Sequence, residues 1–75
     1  METYKNLSGL SNVSAYEIGG ESIKVWFKDG KGYLYDYSSA GRENIEKMKA
    51  LAVAGRGLNT FINQHVLKDY SAKLA

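Results

Sequence analysis

Ser22-Ile23-Lys24-Val25-Trp26-Phe27-Lys28-Asp29-Gly30-Lys31-Gly32-Tyr33-Leu34-Tyr35-Asp36-Tyr37 is the stretch on which the fold turns. Ile23, Val25 and Phe27 point one way while Lys24, Trp26 and Lys28 point the other, the period-two pattern of a half-buried strand. Beyond Asp29-Gly30, Tyr33, Tyr35 and Tyr37 recur at every second position, so a second strand returns along the first. Both segments are rich in β-branched and aromatic residues, which pack well on a pleated surface.

Two turns can join them. A two-residue Asp29-Gly30 turn sets Trp26 opposite Tyr33 and Phe27 opposite Gly32. A three-residue Lys28-Asp29-Gly30 turn, with Gly30 left-handed in a bulge, sets Val25 opposite Tyr33 and Phe27 opposite Lys31. The second gathers Ile23, Val25, Phe27, Tyr33 and Tyr35 on one face. It is preferred, because a small sheet needs one continuous apolar face.

Working outward, Asn12–Ile18 reads as a third strand, joined to the hairpin through Gly19-Gly20-Glu21, where glycine permits unusual dihedrals. Residues 1–11 show no sustained period and are expected to lie along an edge or to fray. Downstream the period changes. Ile45, Met48, Leu51 and Ala52 form one helical stripe within 42–53, with Ser39 as a candidate N-cap and Glu43 and Glu46 toward the positive end of the dipole. Ala54-Gly55-Arg56-Gly57 breaks that helix, and Leu58, Phe61, Ile62, His65 and Val66 mark a second over 58–67. The expected fold is α+β: a three-stranded antiparallel meander followed by two C-terminal helices, β-β-β-α-α, in one domain spanning 1–75.

Composition bounds the chemistry. The chain has 75 residues, 44% hydrophobic and 24% charged, with no proline and no cysteine. That length supports one small core, burying only about 60% of the unfolded surface. Without cysteine there is no disulfide scaffold, no thiolate zinc site and no thiol catalysis. The one histidine, His65, cannot build a multi-histidine metal centre. No apolar run approaches the roughly 20 residues that cross a bilayer, and Met1–Leu10 does not look like a secretory signal. The expectation is a soluble cytoplasmic domain with no membrane contact, metal or cofactor.

Charge divides unevenly. Residues 1–37 carry four lysines against five acids, and residues 38–75 carry four lysines and two arginines against three acids, for a total of +2. A mildly basic second half is compatible with an anionic partner, though a solvated mixed surface has the same composition.

No enzyme motif is present. Gly55-Arg56-Gly57 lacks the longer glycine pattern and the Lys-Ser or Lys-Thr pair of a phosphate-binding loop. His65 has no recognisable nucleophile beside it. Exposed aromatics on a sheet, by contrast, stack on unpaired bases while neighbouring cations neutralise phosphates. Trp26, flanked by Lys24 and Lys28, is the leading candidate face. Tyr33 and Tyr35 match the same pattern, although on the preferred register they also supply the core face.

The ordered combination of Asn12-Val13-Ser14, Ile18-Gly19, Ile23-Lys24-Val25-Trp26-Phe27-Lys28-Asp29-Gly30 and Tyr33-Leu34-Tyr35 resembles the KTSC domain family. That family is named after a C-terminal extension of some lysyl-tRNA synthetases and also occurs as small single-domain bacterial proteins. By this resemblance Tyr33 and Tyr35 form its Tyr-x-Tyr motif. Gly57, Phe61, Ile62 and Asn63, followed by Tyr70, fall on its glycine-aromatic-Asn stretch. The likeness covers about residues 12–70 and implies the same fold, with RNA binding as the activity suggested for that family.

The functional expectation is a non-catalytic nucleic-acid-binding module for RNA or single strands. Trp26, Tyr33 and Tyr35 contact bases, and Lys24, Lys28, Lys31 and Arg56 contact phosphates. The alternative is a small protein-interaction or accessory domain whose aromatics are structural.

Overall fold

The computed structural model describes residues 1–75. Its elements in chain order are β1 (Glu2–Thr3), β2 (Val13–Ile18), β3 (Ser22–Phe27), β4 (Gly32–Asp36), α1 (Tyr37–Ala40), α2 (Arg42–Ala54), α3 (Leu58–Phe61), a π-helical turn (Ile62–Val66) and β5 (Ala72–Lys73). The strands form one antiparallel sheet in the order β1-β2-β3-β4-β5.

This corrects the expected fold: the sheet has five strands rather than three, and three helices rather than two follow β4. The two additional strands are two residues each, too short for any alternation to show. Tertiary contacts place them. Tyr4, following β1, is 4% exposed and joins the core, and its hydroxyl accepts the Leu58 N–H at 3.4 Å. Tyr70, preceding β5, packs against Tyr33 with ring centroids 4.7 Å apart.

The hairpin takes the three-residue turn. Val25 lies opposite Tyr33, the Phe27 N–H donates to the Lys31 carbonyl at 2.8 Å, and Gly30 sits at φ 90°. A left-handed residue is needed there to match the loop to the strand twist, and glycine takes it without a Cβ clash. Gly19-Gly20 also makes a tight connection, closed by the Gly19 N–H on the Ser22 carbonyl at 2.9 Å, but neither glycine is among those with positive φ.

β2 carries a bulge between Val13 and Ala15. Its consequence is a change of side: Val13 pairs with Phe27 toward the helices, whereas Ala15 pairs with Trp26 on the open face. The Ser14 hydroxyl donates to the Trp26 carbonyl at 3.2 Å and fixes the irregularity.

The helix of the apolar stripe, α2, starts at Arg42 as expected, but its N-cap is Gly41 and not Ser39, which lies inside the separate short helix α1. Asp36 is the N-cap of α1. Its carboxylate accepts the Ser39 N–H at 2.8 Å while the Ser39 hydroxyl accepts the Asp36 N–H at 3.0 Å, a reciprocal capping box. Gly41 at φ 88° ends α1 and begins α2. The expected helix over 58–67 is likewise divided, into α3 and the π-helical turn that ends at Val66 with Leu67 as its C-cap.

The core lies between the sheet and this helical layer. Val13, Ile23, Val25 and Tyr35 from the strands meet Ile45, Met48 and Ala52 of α2 and Leu58, Ile62 and Val66 beyond it. Outside the core, a polar clasp holds α2 to the β2–β3 turn. The Tyr37 hydroxyl donates to Glu46 at 2.8 Å, and Lys49 reaches Glu46 at 2.9 Å and the Gly20 carbonyl at 2.7 Å. The ammonium of Lys49, and then the Tyr37 hydroxyl, hold the Glu46 carboxyl below its usual range.

Candidate interaction cleft

A cleft of about 390 Å³ opens between the β3–β4 hairpin tip and the helical layer. Its floor is aromatic. Phe27 meets Tyr33 edge to face at 6.0 Å, Tyr33 meets Tyr70 at 4.7 Å, and Tyr70 meets Tyr35 edge to face at 6.3 Å. These separations lie in the range where aromatic rings attract beyond simple burial. Its rim is polar, with Asn12, Asn59 and Asn63 supplying amides and Lys31 and Lys68 supplying cations. Asp29 also lines the cleft, but its carboxylate accepts the Lys31 N–H at 3.0 Å within the turn. Neither Lys31 nor Lys68 is committed to an ion pair, since the three in the structure lie elsewhere.

The residues singled out in the sequence divide between two faces. Lys31, Tyr33 and Tyr35 come together at the cleft. Trp26 and Lys24 lie on the opposite, open face of the sheet. There Lys24 pairs with Glu17 at 3.5 Å, which diminishes it as a phosphate contact. The Trp26 indole lies along Gly32, where a methyl group would come within 2.6 Å of Cδ1. Lys28 is exposed on the hairpin loop, its N–H bonded to the Asn12 carbonyl at 2.8 Å. Arg56 is exposed on the α2–α3 turn and does not line the cleft.

Asn59 and Lys68 carry no local sign of a site, since neither belongs to an apolar stripe or a basic run, and Asn63 and Tyr70 enter from the sequence through the family resemblance alone. The spacing of Asn59 and Asn63, four residues apart in a helical segment, was the one signal that they share a side.

Tyr35 is the most deeply set of these groups, at 1% exposed. Its hydroxyl donates to the Leu67 carbonyl at 3.3 Å, where the π-helical turn ends. Burial, followed by the neighbouring Tyr33, Tyr70 and Asp69, pushes its pKa from 10.0 up to about 12. The phenol is therefore a neutral donor at neutral pH. Because the folded pKa lies above the unfolded one, this stabilisation is complete below pH 10 and is lost as pH rises from there toward 12. Tyr35→Phe is expected to cost about 1 kcal/mol at neutral pH, by leaving the carbonyl unpaired. It is also expected to flatten the fall in urea midpoint between pH 10 and 12. A variant whose alkaline loss matches that of the wild type would remove Tyr35 as its source.

His65 stacks on Phe61 at 4.5 Å and is exposed, and no group of three His, Cys, Asp or Glu side chains is placed to hold a metal ion. No helix is long and apolar enough to cross a membrane. No family model, curated protein or solved structure matches the chain.

Proposed function

We propose that this chain is a non-catalytic protein-interaction domain that docks an extended segment of a partner in the aromatic cleft. The observation that carries the reading is the combination of an aromatic floor with an amide rim. Aromatic rings receive apolar or aromatic side chains, and asparagine amides both donate to and accept from an extended backbone. The free cations Lys31 and Lys68 favour a segment that carries acids beside its anchor. The same rim says little for bases stacking on Trp26, whose indole is packed on Gly32 and whose neighbour Lys24 is paired. Membership of the KTSC family belongs to the same proposal and rests on the ordered motifs from Asn12 to Tyr35.

The test is amide shift mapping on the full chain with two probes at low salt: oligouridylate, and peptides bearing one aromatic flanked by aspartates. Peptide is expected to shift Lys31, Asn59, Asn63 and Lys68, and a K31A/K68A variant is expected to lose about tenfold in affinity and most of the salt dependence. Shifts centred instead on Lys24 and Trp26 with oligouridylate would overturn the reading in favour of nucleic acid. A cleft silent to the peptides would overturn it outright.

A further inference from the structure

The cleft is bordered by residues 70–75, which pair with the β4 edge and pack Tyr70 against the cleft's rings. Tyr70 lies against Tyr33 and Tyr35 at 4.7 and 6.3 Å. The backbone then runs antiparallel to β4: the Ser71 N–H donates to the Leu34 carbonyl at 2.7 Å, the Leu74 N–H to the Gly32 carbonyl at 2.7 Å, and the Gly32 N–H to the Ala75 carbonyl at 3.3 Å. Ala72 stands opposite Leu34, and the Leu74 Cβ lies 3.4 Å from where a Cβ on Gly32 would project, the position that Trp26 covers. An aromatic packed against ring faces, main-chain bonds along a sheet edge and an aliphatic set beside Gly32 are the elements of recognition by strand addition.

The hold is slight. Tyr70 packs against the buried core cluster without being part of it, Ala72 is the one other half-buried residue of 69–75, and β5 is two residues long. Segments of this kind open at the lowest free energy in a protein. Opening would leave the core intact while freeing the β4 edge and the faces of Tyr33 and Tyr35. Edge strands with free backbone groups are templates for another strand.

We infer that Asp69–Ala75 is a ligand held in cis, which gives up the β4 edge in exchange for a partner segment with the same order of aromatic, small and aliphatic residues. The inference rests on the cleft reading above and adds two things to it. It specifies the recognised pattern, with the small and aliphatic residues two and four positions beyond the aromatic. It also makes the site self-inhibited, because a tethered segment competes at an effective concentration that only a tight or abundant partner exceeds.

The two ideas give opposite signs for Tyr70. If Tyr70 is a fixed wall of the cleft, Tyr70→Ala weakens partner binding; if it belongs to a displaceable strap, the same change strengthens it. The probe is a fluorescent peptide copying Asp69–Ala75, titrated by anisotropy against full-length wild type, Y70A and L74A, with a scrambled peptide as control. Binding is expected to be weak in the wild type and about tenfold tighter in each variant, as the cis competitor is removed. Hydrogen exchange on the wild type supplies a measurement that does not depend on the variants folding. Excess peptide is expected to speed exchange at Ser71 and Leu74 while Ile23 and Val25 stay protected.

Weaker binding by Y70A, with the cleft amides still shifting, would overturn the strap and leave the cleft reading standing. Unaltered protection at Ser71 and Leu74 under saturating peptide would do the same. Absence of binding to all three proteins, with a silent cleft, would overturn both.

Discussion

Ile45→Ala is expected to remove a large share of the stability of this protein, and Phe27→Ala much less. Ile45 is fully buried in the cluster that joins α2 to the sheet, and truncating such a side chain costs about 2–5 kcal/mol once the residual cavity is counted. At roughly 0.05–0.15 kcal/mol per residue, a chain of 75 residues holds in reserve only about 4–11 kcal/mol. I45A should therefore unfold at far lower urea or be unfolded from the start. Phe27 shares the inner face of β3 but sits half-buried at the cleft, so its loss uncovers rather than hollows. About 1–2 kcal/mol is expected for F27A, from partial loss of buried apolar area. Equilibrium urea titrations at constant m-value decide it. An I45A loss under about 1 kcal/mol would mean that α2 does not close the core, and an F27A loss equal to that of I45A would mean that the cleft is not open.

The second large effect is expected on the open face. A Cβ at Gly32 would meet Trp26 Cδ1 at 2.6 Å and Nε1 at 2.7 Å, with Leu74 3.4 Å away. Gly32→Ala must therefore displace the indole, and overpacking of this kind costs about 1–3 kcal/mol. Removing the obstruction should remove the cost. Trp26→Ala on the Gly32→Ala background is expected to lose less than the sum of the single changes, with a coupling of about 1 kcal/mol or more. Strict additivity in the double-mutant cycle would show that the indole swings aside freely. Trp26 would then be available for stacking on a ligand after all.

The cycle also bears on why tryptophan stands here. Alternation places Trp26 on the uncovered face, and a tryptophan flanked by lysines looks from sequence like a stacking platform. Its packing against Gly32 depends on the cross-strand partner, which the register sets. Register in turn follows from the three-residue loop, so this use of Trp26 was one inference away from the sequence.

The sequence by itself determined what depends on near neighbours. Alternation from Ser22 to Phe27 and from Gly32 to Asp36, with Lys28-Asp29-Gly30 between, specifies a hairpin and the shared face of Ile23 and Val25, whereas the place of Tyr35 on that face turned on which of two turns forms. The stripe of Ile45, Met48 and Ala52 specifies the buried side of α2. Such patterns are legible because side chains two apart on a strand, or three and four apart on a helix, share a surface.

Tertiary structure decided whatever needed a distant partner. Glu2–Thr3 and Ala72–Lys73 have no period of their own and become strands only because β2 and β4 offer free edges and Tyr4 and Tyr70 find places to pack. The cleft has the same origin. Its floor joins Phe27 and Tyr33 to Tyr70, and its rim joins Asn12 to Asn59, Asn63 and Lys68, residues that meet only after the helical layer folds back on the sheet. Lone asparagines and lysines have no local signature, since their meaning is set by what lies across the gap. That gap exists only in the folded chain.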